Sequence, residues 1–315
     1  MYTSGRCIAA VLLLSSSALF PALAQGQGPA GSRGLPLASQ VPWSALSFSG
    51  AKLGTTLKVS VRLGPAAETA KLQPWADLPQ SAACASTPGQ TALLSTSLSV
   101  KGVLRNSRYS EGLWFDQSGS TQKRLRYNQK PGDYWLKEYC WKKDGVRRSK
   151  LAPANEEEKL QGPKDWSEQS SSWYALPQVP AQCTGISDPA LLVVLASAMA
   201  REPQQRSLSL CTFGRRQLFQ LEMTRETGDT QAVSYQILQD DRPAQERSGR
   251  IQPLVYRITA RQMQADGMSE AFSLMGLEEN IRIFVDPATA LPIRLSGTAR
   301  MAGKVDLELR EAQVK

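Results

Sequence analysis

The run from Ile281 to Leu309 constrains the fold most. It holds three short segments with an apolar residue at every second position: Ile281, Ile283 and Val285, then Leu291, Ile293 and Leu295, then Val305, Leu307 and Leu309. Asp306, Glu308 and Arg310 alternate with the last set. A period of two belongs to a strand with one buried face. Asp286-Pro287 and Ala302-Gly303 supply turn residues between the segments. The pattern predicts a closing three-stranded antiparallel meander that buries one side.

The same period recurs upstream. Segment 52–63 reads as the first strand, with Leu57, Val59, Val61 and Leu63 on one face, and 94–104 as the second. Between them, 66–89 reads as a long loop with a helical turn. Segments 112–116, 122–127, 134–141 and 146–151 read as further strands, with Asp144-Gly145 as a hairpin turn. Residues 156–165 are a short helix or a loop. Segments 208–213 and 217–223 pair across Gly214; 232–238 and 254–260 follow, with a charged loop over 239–247.

One helix stands out. Asp188 is placed to cap it and Pro189 to occupy its first position. Residues 190–199 are apolar nearly all round, so the helix should be buried. Glu202-Pro203 ends it. The expected fold is mainly β: a curved antiparallel sheet, open or half-barrel, with one buried helix near 188–200 on its concave side.

The N-terminus sets the compartment. Residues 1–24 read as a secretory signal peptide, with Arg6, an apolar core over 7–20 and an Ala22-Leu23-Ala24 cleavage site. That core is shorter than the roughly 20 residues a spanning helix needs, and no later stretch is apolar enough to span. The expectation is a flexible tail over 25–41, one β-rich domain over 42–315, and export to the periplasm of a Gram-negative bacterium. Four cysteines remain after cleavage: Cys84, Cys140, Cys183 and Cys211. Pairing Cys183 with Cys211 and Cys84 with Cys140 closes the shorter loops; four buried free thiols are the alternative.

Two compositional facts narrow the chemistry. The chain has no histidine. That excludes Ser-His-Asp and Cys-His catalysis and H-E-x-x-H zinc chemistry. No phosphate-cradling glycine motif is present either, so no enzyme activity, cofactor or metal is expected. The net charge is +9. An exported basic protein meets lipid, lipoprotein or anionic envelope polymer rather than nucleic acid.

Several stretches resemble the exported bacterial proteins grouped as domain of unknown function 3108. They are Gly119-Ser-Thr-Gln-Lys-Arg-Leu-Arg-Tyr127, the Asp144-Gly145 hairpin, the helix start Ser187-Asp188-Pro189-Ala-Leu-Leu192, and Gly276-Leu-Glu-Glu-Asn-Ile-Arg-Ile-Phe-Val-Asp286 with Leu291-Pro292-Ile293 and the strand from Gly303 to Leu309. The resemblance spans most of 45–312. It implies a curved, mainly antiparallel sheet, comparable in outline to the half-barrels that carry lipoproteins across the periplasm. It implies no chemistry.

Candidate binding residues lie in the middle of the chain. Trp114, Phe115, Tyr127, Tyr134, Trp135, Tyr139 and Trp141 either line a groove for an acyl chain or glycan, or form core and hairpin packing. The basic residues Arg124, Arg126, Lys142, Arg147 and Arg148, with neighbouring lysines, fall on the same strands. They form a solvated outer face or a contact for anionic surfaces. Glu111 and Asp116 flank Trp114 and are the best carboxylate pair for glycan hydrolysis without histidine. The leading reading is a non-catalytic carrier-like protein for an apolar or amphipathic envelope component. A structural protein docking on anionic surfaces comes second, and a glycan-acting enzyme a distant third.

Overall fold

Alternation becomes pairing along nearly the whole chain. The structure is a computed structural model and describes residues 37–52, 54–71, 84, 91–102, 106–176, 183, 185–263, 270–300 and 302–315. After a 3-10 turn at Leu37–Ser39 come β1 (Trp43–Lys52), β2 (Thr55–Pro65) and the short α1 (Ala66–Ala70). Then β3 (Ala92–Lys101), β4 (Asn106–Phe115), β5 (Thr121–Lys130), β6 (Asp133–Lys142) and β7 (Gly145–Ala152) run as antiparallel neighbours. α2 (Glu156–Gln161) and a 3-10 turn lead to β8 (Glu168–Ala175), which pairs on β7. β9 (Ile186–Ser187) and a 3-10 turn at Pro189–Leu191 lead into α3 (Leu192–Ala200). The second half holds β10 (Ser207–Phe213), β11 (Leu218–Thr227), β12 (Gln231–Gln239), β13 (Arg242–Ile251), β14 (Leu254–Gln262), β15 (Glu279–Val285), β16 (Pro292–Ala299) and β17 (Gly303–Val314).

All of these strands belong to one curved sheet. Its two halves join where β1 lies between β2 and β17. β11 pairs with β14, so the β12–β13 hairpin loops out, and β12 runs parallel to the end of β17. β9 also pairs parallel, with β10. These two pairings make the sheet mixed rather than purely antiparallel. No helix among the described residues is long and apolar enough to cross a membrane.

The closing meander is as the alternation requires. Ile283 faces Leu295, Leu295 faces Leu307, and all three are buried. α3 packs on β15 and β16, and Leu191, Leu192, Val193, Val194 and Ala196 are fully enclosed. Three turns are too few for a stable isolated helix. Burial of these side chains, at about 1.5–3 kcal/mol for each of the larger ones, holds it. One polar chain pins it as well. The Trp43 indole N–H donates to Ser197 Oγ at 3.0 Å, and the Ser197 hydroxyl donates to the Ala290 carbonyl.

Several expectations need correction. The segment read as the first strand, 52–63, is largely the second: β1 precedes it without clean alternation, because register shifts at Trp43/Ala45 and Ser47/Phe48 place Trp43, Leu46 and Phe48 inside at irregular spacing. Of the expected tail over 25–41, residues up to 36 lie outside the described set. Its end is not a tail, since Leu37 and Val41 are buried in the core. The expected loop over 239–247 is largely strand. β12 and β13 turn at Asp240-Asp241, with Asp241 at φ 61°. β13 is almost wholly exposed, so no apolar period marks it. The edge strand β8 is hidden for the same reason. The signal peptide lies outside the described residues.

Cys84 is joined to Cys140 and Cys183 to Cys211. The second bridge ties the approach to β9 and α3 onto β10.

Candidate functional site

The hairpins from β4 to β7 have two differently furnished faces. The inner face is continuous with the core around α3, through Leu94, Leu113 and Phe115. Followed across the strands, it turns polar. One row runs Leu113, Arg124, Tyr139, Arg148, Ser172; the next runs Glu111, Arg126, Lys137, Lys150, Ser170. A third places Tyr109, Asn128 and Trp135 side by side. The register alone brings cations from three strands onto one half-buried face.

Arg124 sits deepest, only 3% exposed. Its Nη1 lies 2.5 Å from Asp188 Oδ2, and Nη2 donates to the Gly214 carbonyl at 2.6 Å. Its guanidinium stacks 4.2 Å from the Tyr139 ring centre. Burial works most strongly against the Arg124 charge, but Asp188, with Tyr139 and Glu111, together outweighs it, so the guanidinium is held above its ordinary value. Asp188 also accepts from the Ala190 N–H, so one carboxylate caps the helix start and anchors the sheet. Arg124 therefore sews β5 to the β10–β11 turn.

Further out, Arg126 pairs with Glu111 at 3.1 Å and donates to the Tyr109 hydroxyl, which donates to Glu111 at 2.5 Å. Burial pushes the Tyr109 phenol well above its usual value. Lys137 lies beside this trio, 3.8 Å from the Trp135 ring centre. Burial pulls its pKa down to about 8, helped by Arg126, Arg148 and Lys150. Arg148 donates to Ser172 Oγ at 2.7 Å and lies over Tyr174. Its buried Nε has no hydrogen-bond partner, nor do Arg124 Nε and Trp141 Nε1 on the same face. The basin is thus rich in positive charge and in unmatched donors, and carries aromatic rings.

The outer face is a separate structure. Trp114, Leu125, Tyr127 and Leu136 pack under Trp166, with Tyr134 at the margin. Lys123, 2% exposed, pairs with Glu138 at 3.0 Å. Glu138 sits beside Cys84 and Cys140, whose sulfurs are bonded to each other.

The aromatic set named from the sequence as groove or packing therefore divides. Trp135, Tyr139 and Trp141 belong to the inner face; Trp114, Tyr127 and Tyr134 belong to the outer cluster; Phe115 is core. The basic set divides too. Lys142 and Arg147 are exposed, whereas Arg124, Arg126 and Arg148 face inward, contrary to a solvated outer face. Sequence reasoning took Asp188 only as a cap, counted Lys137 and Lys150 only among the lysines of the basic set, and gave Tyr109 no part in a site; strand register was the missing information. Glu111 and Asp116 do not form a pair. Five residues of strand separate them by roughly 16 Å. Asp116 instead caps its own turn, accepting from the Ser118 and Ser120 N–H groups.

No family model and no curated protein matches the chain. The likeness to the 3108 group thus rests on its motifs alone. Among solved structures, the chain is similar to a β-barrel-like protein of domain of unknown function 1849 from Brucella abortus, at 9% identity and a TM-score of 0.44, covering 88% of this chain and 98% of that one. It is also similar to a protein from Parabacteroides distasonis assigned as a lipoprotein, at 10% identity and a TM-score of 0.25, with the same coverage.

Proposed function

We propose that the chain is a non-catalytic, carrier-like binding protein of the periplasm. It holds an amphipathic, negatively charged envelope component against the inner face of β4–β7. One observation carries this reading: the inner face, apolar around α3, becomes a half-buried surface where Lys137, Arg148 and Lys150 gather beside Trp135 and the Glu111-paired Arg126, with Trp141 further along β6. Uncompensated cations at a partly desolvated site are costly unless an anion joins them. The apolar part of the concavity is filled by α3. An apolar tail would therefore lie along β6, over the row from Trp135 to Trp141, rather than run into the core. The two disulfides fit an exported protein.

Docking through an outer basic face is less well supported, because Arg124, Arg126 and Arg148 point away from that face. The glycan-acting reading loses its carboxylate pair.

The test is native mass spectrometry of the protein purified from the periplasm. A co-purifying amphipath is expected, lost on denaturation and depleted in a variant carrying Lys137→Met and Arg148→Gln. A protein that stays ligand-free, and does not take up amphipathic anions added in excess, contradicts the proposal.

A further inference from the structure

We infer that the group received by the basin is a dianionic phosphoryl group, either a phosphate monoester headgroup or free phosphate. This inference rests on the binding reading above and specifies its ligand class. The argument is one of charge and donors. Three cations without an ion-pair partner among the described residues, Lys137, Arg148 and Lys150, converge from β6 and β7 beside Arg126, whose charge Glu111 offsets. Glu111 is taken up by Arg126 and Tyr109 and leaves these three unmatched. Asp133, at the start of β6, is engaged by Asn128 and the Trp135 indole. A single carboxylate would leave most of this charge uncompensated. A phosphate monoester carries about −1.5 to −2 at neutral pH and three strong acceptor oxygens.

The donors match that count better than they match a carboxylate. Arg148 Nε lacks a partner although its Nη2 is held by Ser172. The Lys137 ammonium has a ring beneath it, and Lys150 stands next to it on the neighbouring strand. Arginine offers a flat fork and lysine a point charge, which is the mixture that phosphoryl groups receive. The depressed Lys137 pKa fits a cation crowded by others and lacking its anion.

The experiment is isothermal titration of the full mature chain with inorganic phosphate and with acetate. In parallel, sedimentation is measured with vesicles of phosphatidylcholine alone or containing phosphatidic acid. Phosphate or the phosphatidic acid vesicles should bind more tightly than acetate or phosphatidylcholine. The combined Lys137→Met and Arg148→Gln variant should bind about tenfold more weakly or worse, and Lys150→Gln should show a smaller loss. A variant changed at the exposed Lys142 and Arg147 to Gln should bind as the parent does. Unchanged thermal midpoints separate lost binding from lost folding, and Lys150→Gln carries the test if the double variant does not fold.

Binding of the vesicles alone assigns the group to a lipid headgroup; binding of phosphate alone assigns it to a soluble anion. Acetate binding as tightly as phosphate overturns the inference. So does binding of neither phosphoryl source, or an equal loss in the Lys142 and Arg147 variant. If native mass spectrometry finds a ligand without phosphate, the carrier reading stands and only this inference falls.

Discussion

The Arg124 guanidinium and the Asp188 carboxylate, 64 residues apart in the chain, meet at 2.5 Å with both side chains almost fully buried. Arg124 stands in the middle of β5 and Asp188 at the start of the buried helix. The pair therefore fixes where the polar half of the sheet ends and the helix-filled half begins. Removing one partner leaves a buried charge alone, whereas removing both does not. Asp188→Asn or Arg124→Met should each destabilise by about 3–5 kcal/mol, while Arg124→Met with Asp188→Asn should cost less than the sum. Urea denaturation of the four proteins measures the coupling; simple additivity would mean the pair contributes no specific interaction.

Ser197 tests the seating of the helix. Its hydroxyl accepts from Trp43 and donates to the Ala290 carbonyl, joining α3 to β1 and to the β15–β16 turn. Ser197→Ala strands an indole N–H and a carbonyl in a dry site, and should cost about 1–3 kcal/mol. A change under about half a kcal/mol would show that both groups find other partners.

The Cys183–Cys211 bridge closes a loop that contains the whole helix, with a sequence separation of 28. Replacing both residues by Ser should cost about 3–4 kcal/mol in the loop-entropy model. That lowers the thermal midpoint by roughly 2–4 °C per kcal/mol. Reductant should lower the parent's midpoint and leave the variant's Cys183–Cys211 contribution absent. Peptide mapping that finds either residue as a free thiol in the non-reduced protein would contradict the pairing.

Lys137 gives a signed pH dependence. Its pKa is about 8 in the folded chain, against 10.5 ordinarily. Burial presses it down most, then Arg126 on β5 and Arg148 and Lys150 on β7, and Asp133 only partly offsets them. Between about pH 8 and 10.5 the unfolded chain binds the proton that the folded chain has shed, so this group makes stability rise with pH. Lys315 shifts in the same sense, so the readout is the difference between parent and Lys137→Met. The parent should gain stability relative to the variant across this window. Parallel curves would place Lys137 in ordinary solvent.

Much of the architecture was legible because burial imprints a period. The meander from Ile281 to Leu309 and the hairpin at Gly214 show their inward residues directly. Where one face is not buried, or a bulge breaks the register, the signal goes: β8 and β13 have no dry face, and β1 shifts register twice. The site was harder still. Arg124 and Arg126 alternate with Leu125 and Tyr127, which reads as outer and inner, but both faces of these strands are covered. Only the cross-strand register shows that Trp135, Lys137 and Arg148 share a face while Trp114 and Tyr127 lie behind it.

The central claim, that the inner face of β4–β7 is a binding surface, is tested most directly by the indole N–H signals in a nitrogen-15 NMR spectrum. Six of the chain's seven tryptophans lie among the described residues; Trp43 is in the core, and the other five divide by face. On titration with a single-chain alkyl phosphate below its micelle concentration, Trp135 and Trp141 should move. Trp114 and Trp166 behind the sheet, and the half-exposed Trp173 on β8, should stay. Movement of Trp114, Trp166 or Trp173 with Trp135 and Trp141 still, or no movement at any indole, would contradict it.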